Sequence, residues 1–344
     1  MNINNTHAKR ILCNMNNIVS PRVKSNRELV DEFLDKFRAT CTHGVTPTSY
    51  EIQLIHGGSA YESLAVDNKA DFDITVSFGR DFVSENFDVE RDESGYFILE
   101  AKKPMRHLDC NNLLDSAKLR SGLFNALRHH VDMLKIPGVN ITHTDGLCAL
   151  AVELQENIGP KRRVSMDLVP QIPFRSWGQC PDLLPLENMP KCLRQYIDTI
   201  NKNKSPCMFF SLGIPKAFRF PNSDQLFNIS FSLLEKNFIH NETDIRDMVR
   251  LVKYIAKRRD WKDRHHFKSF YAKRVALKYY EELKGKEPWD GCLLLLEGLE
   301  KEVGNGVIDG YFVGNQPLRE WDDDEVKDFI REIRIVRNMN IWDI

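Results

Sequence analysis

The tetrapeptide His56-Gly57-Gly58-Ser59, followed by Asp71-Phe72-Asp73-Ile74-Thr75-Val76, constrains this chain more than any other stretch. A small-residue turn leads, twelve positions after the serine, into a β-prone run with two carboxylates two residues apart. Residues i and i+2 of a strand share a face. Asp71 and Asp73 are therefore expected side by side, with Phe72, Ile74 and Val76 packed into the sheet behind them. Two convergent carboxylates make a poor core and a good seat for Mg²⁺, which takes hard oxygen ligands and keeps part of its shell for water and phosphates.

Taken alone, the acid-hydrophobic-acid triplet says little, since 49 acidic residues among 344 with 42% hydrophobic residues give about three by chance. By itself it reads more readily as a half-exposed strand with a solvated acidic face. The turn upstream and a third carboxylate downstream reverse that balance. Asp167 lies in Arg163-Val164-Ser165-Met166-Asp167-Leu168-Val169-Pro170, an alternating run that ends at proline as a strand would. Val164, Met166 and Leu168 are expected on one face, and Ser165, Asp167 and Val169 on the other. Three carboxylates can hold two metal ions about 3.5–4 Å apart, which activate an attacking hydroxyl and stabilise a leaving pyrophosphate. A glycine ahead of Ser59 lets the backbone approach a phosphate closely. Lys253 offers a compact, flexible cation for phosphate, although a lone lysine more often lies on a solvated helix face. On residue type alone, Phe270 reads as a core aromatic.

With these residues in place, the chain resembles the cyclic GMP–AMP synthase-like receptors, which share their fold with the male-abnormal developmental proteins. The resemblance spans nearly the whole chain. It rests on Gly58-Ser59-Ala60-Tyr61-Glu62, Asp71-Phe72-Asp73, Ser165-Met166-Asp167, Ile229-Ser230-Phe231-Ser232 with Glu235-Lys236, Val252-Lys253-Tyr254 and Phe267-Lys268-Ser269-Phe270. It implies an α/β (α+β) bilobed nucleotidyltransferase fold. A catalytic lobe with a mixed sheet (1–170) and a helical C-terminal lobe (171–344) would be joined by an N-terminal spine helix. It implies that Asp71, Asp73 and Asp167 ligate two Mg²⁺ or Mn²⁺ ions and carry catalysis. Gly58, Ser59, Lys253 and Ser269 would hold the triphosphate, with Phe270 stacked on a base. The activity implied is synthesis of a cyclic dinucleotide second messenger from ATP, GTP or other NTPs, in an innate immune receptor switched on by double-stranded RNA.

Two departures bear on the ligand. Vertebrate DNA-sensing members carry a His/Cys zinc module between the Ser-Phe-Ser helix and the Lys-Tyr helix, but Leu234–Lys253 holds His240 and no cysteine. Zinc needs four closely placed ligands, so no structural zinc is expected there, and duplex RNA is favoured over DNA. Asn228 stands where the DNA sensor has arginine, so contacts at that position, and the product, are expected to differ.

With a net charge of −1, any nucleic-acid contact must come from a patch. Residues 250–274 carry ten lysines and arginines against Asp260 and Asp263. Lys257, Arg258, Arg259, Lys262 and Arg264 are the expected duplex contacts, with Arg22, Lys24, Arg27 and Lys36 extending the face along the spine helix. The acidic run Asp322-Asp323-Asp324-Glu325 reads as a helix N-terminus. A helix is expected over 25–41, with Ser25 and Glu28 as a capping box and Leu29, Phe33 and Phe37 at i+4 spacing. Strand-like runs are Tyr50–Leu54, Phe72–Phe78, Tyr96–Ala101 and Leu147–Leu154, and helical patterns follow at 229–239, 244–258, 266–285, 289–302 and 323–337. A proline-bearing passage at 170–190 reads as the crossing between lobes. Eight scattered cysteines without a CxxC pair predict reduced, mostly buried thiols. The absence of a long apolar run and of a secretory start predicts a cytoplasmic chain without a membrane partner. Assembly of the protein on its ligand is compatible with the resemblance.

Two other classes remain open at this point. One is a catalytically silent scaffold or developmental protein of the same fold, against which the complete carboxylate set argues. The other is an RNA-end nucleotidyltransferase, which would share the metal site but not the Phe231, Lys253 and Phe270 segments.

Overall fold

A computed structural model describes residues 3–43, 52–67, 71–78, 82–93, 95–146, 148–159, 161–174, 177, 180–203, 208–211, 223–313 and 317–343. Tyr50, Leu147 and Cys207 lie outside these. The chain enters through α1 (Ile3–Asn14), a π-helical turn at Met15–Val19 and α2 (Ser20–His43), which run on without a break. Then come β1 (Ile52–Gly57), the single-turn α3 (Gly58–Tyr61), β2 (Asp73–Phe78), α4 (Phe82–Asn86) and the hairpin β3 (Phe87–Arg91) and β4 (Phe97–Ala101). Next are α5 (Ser116–Asp132), β5 (Val139–Asp145), β6 (Leu150–Glu156), β7 (Arg163–Phe174), α6 (Lys191–Lys202), β8 (Met208–Ser211) and β9 (Asn228–Ser230). The C-terminal part is mostly helical: α7 (Ser232–Asn241), α8 (Thr243–Arg258), α9 (Trp261–His265), α10 (Ser269–Lys278), α11 (Tyr280–Leu283), α12 (Pro288–Gly304), β10 (Val307–Asp309), β11 (Pro317–Glu320) and α13 (Asp323–Asn338).

The architecture is mixed α/β on a mixed sheet of order β1-β2-β7-β6-β5, with β8 pairing the far end of β7 and β9 pairing β8. The β2–β7 pair is parallel and its neighbours are antiparallel. The expected alternation holds along β7, where Val164, Met166 and Leu168 are buried and Arg163, Ser165 and Asp167 are exposed. Phe72, Ile74 and Val76 are buried too. These side chains pack with Val30, Phe33 and Phe37 of α2 and Leu127 of α5 in one core cluster. A second cluster joins Ala8, Leu12 and Met15 of the N-terminal helix to α7, α8, α10, α12 and α13, and reaches Ile172 and Phe174 at the end of β7. The expected division at 170 therefore falls inside one strand, which serves both clusters.

Several element expectations are corrected. The helix does not begin at Ser25; it is already helical from Ile3, so the Ser25–Glu28 pair is no cap. Ser25 instead offers Oγ and its carbonyl to the Arg162 guanidinium, at 2.9 and 2.5 Å. Ile229 lies in β9, ahead of its helix, and the run 266–285 breaks into α10 and α11 after an extended approach at Phe267–Lys268. The acidic run does start a helix: Asp322 caps α13, its Oδ1 accepting from the amides of Asp324 and Glu325. Of the described cysteines, Cys180 and Cys292 alone are buried, Cys41, Cys148 and Cys192 are half-buried, and Cys13 and Cys110 are exposed, so the expectation of mostly buried thiols is not met among them. Among the described residues no helix is long and apolar enough to cross a membrane.

Candidate active site

The register of the sheet sets the site. Gly57 of β1 stands opposite Asp73 of β2, and Asp73 stands opposite Asp167 of β7. In-register neighbours on parallel strands project to the same face about 4.8 Å apart, so Asp73 and Asp167 are side by side. Asp71 precedes β2 and is not a strand residue, so the expected i, i+2 pair is only half inside the strand. Its backbone is nonetheless fixed: its amide donates to Ser59 Oγ at 3.1 Å, and its carbonyl accepts from the Ala60 amide at 3.1 Å. The next carbonyl, of Phe72, accepts from the Asp167 amide at 2.8 Å.

The glycine of the turn is required on two counts. Gly58 has φ +77°, and a Cβ there would come within 2.5 Å of the Asp71 carbonyl oxygen and 2.9 Å of Asp73 Oδ2. The left-handed conformation and the close approach both exclude a side chain. The turn is also clamped from α2. The Arg27 guanidinium donates to the Ala60 carbonyl and lies 5.0 Å from the Tyr61 ring centroid, while the Tyr61 hydroxyl donates to Asp31 at 2.5 Å. Lys236 donates to the His56 carbonyl at 2.6 Å.

Gly58, Ser59, Asp71, Asp73, Asp167, Lys253, Ser269 and Phe270, which the sequence singled out, line one cavity of about 250 Å³. The structure brings together residues spread over more than two hundred positions. It adds Glu62, Lys268 and Lys273, which sequence reasoning missed as site residues. Lys268 directly precedes Ser269, at the extended start of α10. Lys273 is buried and donates to Glu62 at 2.8 Å and Glu235 at 3.2 Å, and Arg274 reaches Glu235 at 2.6 Å. Both ends of this network lie in motifs visible in the sequence, but nothing local showed that they meet.

The electrostatics follow from crowding. Burial, then the charges of Asp71, Asp167 and Glu62, push the Asp73 carboxyl up to about 6, with Lys273 pulling the other way. Burial and Asp71 push Asp167 up as well. Burial draws Lys253 down to about 8, against the attraction of Asp71, Glu62 and Asp67. Burial also opposes charge on Lys273, but Glu62 and Glu235 outweigh it and hold the ammonium above its ordinary value. Among the described residues no three carboxylate, thiol or imidazole groups are placed to hold a metal ion between them. What the site does offer is hard oxygen donors of the type a divalent cation takes: Asp73 and Asp167 are adjacent across the strands and line the cavity with Asp71.

The candidate nucleic-acid residues differ in exposure and in ion pairing. Lys257 is paired with Asp67, Arg259 with Glu332 at 2.6 Å, and Arg264 lies 3.9 Å from Glu332. Arg250, Lys273 and Arg274, which swelled the basic count, are buried, and Lys253 lines the cavity. Arg22, Lys24, Arg258 and Lys262 are exposed, and Lys36 is half-buried beside Glu32 at 3.6 Å. Arg27 is turned to the Gly58–Ser59 turn rather than outward.

No protein-family model matches the chain, and no curated protein matches it with significant similarity.

Proposed function

We propose that this protein is a metal-dependent nucleotidyltransferase that joins two nucleoside triphosphates into a cyclic dinucleotide, and that duplex RNA is its activating ligand. The observation that carries the reading is the row Gly57–Asp73–Asp167, with the Gly58–Ser59 turn folded against it. It sets a phosphate-sized backbone turn directly beside adjacent carboxylates, the arrangement that phosphoryl transfer needs. The two core clusters, bridged by the N-terminal helix and β7, support a bilobed arrangement.

Asp71, Asp73 and Asp167 would hold Mg²⁺ or Mn²⁺, whose bound charge would neutralise the triphosphate and lower the pKa of the attacking hydroxyl. The chain's own groups do the rest. Gly58 lets the backbone come within reach of a phosphate oxygen, and Ser59, its Oγ held by the Asp71 amide, fixes the turn. Lys253 and Lys268 oppose the charge of the polyphosphate from the other wall, and Ser269 lies beside them at the start of α10. Phe270 presents a half-buried ring to the cavity, edge-on to Tyr271 at 4.5 Å. Asp73 or Asp167, adjacent across β2 and β7, would lie closest to the attacking hydroxyl, with the metal's charge doing most of the deprotonation.

The test is incubation of the purified protein with four NTPs and Mg²⁺, alone or with duplex RNA or DNA, and resolution of products by chromatography and mass. A cyclic dinucleotide that appears with RNA and is absent in Asp71→Asn and Asp73→Asn is expected. A lengthened RNA would instead identify an end-transferring enzyme. Neither product nor Mg²⁺-dependent NTP binding would leave a scaffold.

A further inference from the structure

The mixed sheet ends in β5, whose far side carries no strand among the described residues. Val139–Asp145 pairs with β6 throughout, without a bulge. The ladder runs on past both ends: the Gly138 carbonyl accepts from the Asn157 amide, and the Gly146 amide donates to the Ala149 carbonyl, both at 2.8 Å. The amide and carbonyl of one strand residue point to the same side, and successive residues alternate. Asn140, Thr142 and Thr144 therefore bond to β6, while the amides and carbonyls of Ile141, His143 and Asp145 point away from the sheet. The Val139 carbonyl joins them, its amide donating to the Ile136 carbonyl at 3.0 Å. None of these outward groups has a partner among the described residues.

An open edge is normally blunted by a lysine, a proline or a bulge. The sequence Val-Asn-Ile-Thr-His-Thr-Asp has none of these, and its one carboxylate, Asp145, is paired with Arg128 at 2.7 Å. At the opposite edge of the sheet, by contrast, Lys236 of α7 donates to the His56 carbonyl of β1. Along β5, Asn140, Thr142 and Thr144 show an exposed, uncharged face, while Val139 and Ile141 are half-buried against the core of the sheet. Beside the start of the strand stand Met133 and Ile158, 48% and 76% exposed, with Ile158 Cδ1 only 3.5 Å from where a Gly138 Cβ would lie. Lys135 is exposed on the same approach.

We propose that β5 pairs antiparallel with β5 of a second copy of this chain, about a two-fold axis at Thr142, so that two sheets join into one. In that register the strand is its own complement. Ile141 stands opposite the partner's His143 and exchanges both backbone bonds with it, and each Asp145 amide donates to the partner's Val139 carbonyl. Outward groups of one copy thus meet outward groups of the other. On the solvent face Asn140 lies opposite the partner's Thr144, and Thr142 opposite the partner's Thr142, pairs that hydrogen-bond and set no like charges together. The acidic end of each strand comes against the entry of the other, where Lys135 is carried and where Met133 and Ile158 gain cover. A strand edge buries less than the roughly 1,200 Å² of a stable complex, so the dimer is a weak, reversible one. The carboxylates of β2 and β7 play no part, and the pairing is independent of the nucleotidyl transfer proposed above.

Sedimentation velocity over a range of concentrations, without nucleotide or nucleic acid, reads the pairing directly. The wild type is expected to pass from monomer to dimer in the micromolar range. Thr142→Lys and Thr142→Glu each set like charges face to face at the axis, where the Cα atoms of a non-hydrogen-bonded pair stand about 4.5 Å apart. Each variant is expected to stay monomeric with an unchanged Tm, since position 142 is exposed. An equimolar mixture of the two should recover the dimer. Thr142→Cys should give a covalent dimer on mild oxidation, above the wild-type background from Cys13 and Cys110, and Asn140→Cys should not. A wild type that is monomeric at every concentration overturns the proposal. So does a dimer that persists in both charge variants, which would be held elsewhere, and so does cross-linking at 140 in place of 142.

Discussion

At the scale of single residues, Asp73 concentrates the tension of the site. Its carboxyl titrates near 6 because burial and three neighbouring carboxylates disfavour its charge. An acid whose folded pKa is raised above the unfolded value binds more protons in the folded state between the two, so stability falls as pH rises through that window. The window here runs from about 4 in the unfolded chain to about 6 in the folded one. Without divalent cations, the wild type is expected to lose thermal stability across it. Asp73→Asn is expected to flatten that slope and to melt higher at pH 8. Added Mg²⁺ should raise the Tm of the wild type and not of the variant. A variant no more stable than the wild type at pH 8, by calorimetry, would mean that the carboxylates do not repel. The trio was legible in the sequence because strands alternate with period two, and alternation survives any tertiary context. Asp71 was half misread for the same reason: a pattern of two cannot tell the first strand residue from the loop residue that precedes it.

Between elements, the buried chain Glu62–Lys273–Glu235–Arg274 ties the end of the glycine turn to α7 and α10. Arg274 also lies 5.9 and 5.5 Å from the ring centroids of Phe231 and Phe312. Removing one member leaves the others charged in a low dielectric. Lys273→Met is therefore expected to cost on the order of 3–5 kcal/mol, read as a fall in the urea midpoint at constant m. A cost below about 1 kcal/mol would mean that water already reaches the network. This element junction was invisible beforehand, because the sequence read 266–285 as one helix. The helix starts late, after the extended Phe267–Lys268, where Phe267 packs at 3% exposure against Trp261 and Phe329, and it ends at Lys278 before α11. The Ser25 cap failed in the same way. A local motif cannot reveal that its oxygen serves Arg162, 137 residues away.

Across the whole molecule, charge counted along the chain and charge displayed on the surface differ. The basic surplus of 250–274 divides among the interior, the cavity and ion pairs, and only part of it meets solvent. A linear count carries no direction, so it overstated the face. The two groups of cations are expected to behave differently. Reversing the charge of Arg22, Lys24 and Lys262 should weaken duplex-RNA binding in anisotropy titrations and flatten its salt dependence, leaving Tm in place. Reversing Arg259 should lower Tm, because the buried Glu332 would face a like charge. RNA affinity untouched by the first set would move the duplex elsewhere.

The π-helical turn at Met15–Val19 has a consequence for insertions and deletions. It sits between the stretch of helix that packs on the C-terminal helices and the stretch that packs on the sheet. An i→i+5 turn accommodates one residue more than an α-turn, so it stores a spare residue without advancing the phase of the helix beyond it. Deleting Asn17 should relax the turn to plain α-helix and leave both apolar stripes aimed at their cores. The same deletion within α2 would rotate everything beyond it by about 100° and turn Phe33 and Phe37 out of the sheet. The joint between the two cores is thus the one place in a forty-one-residue helix where length can change and orientation need not.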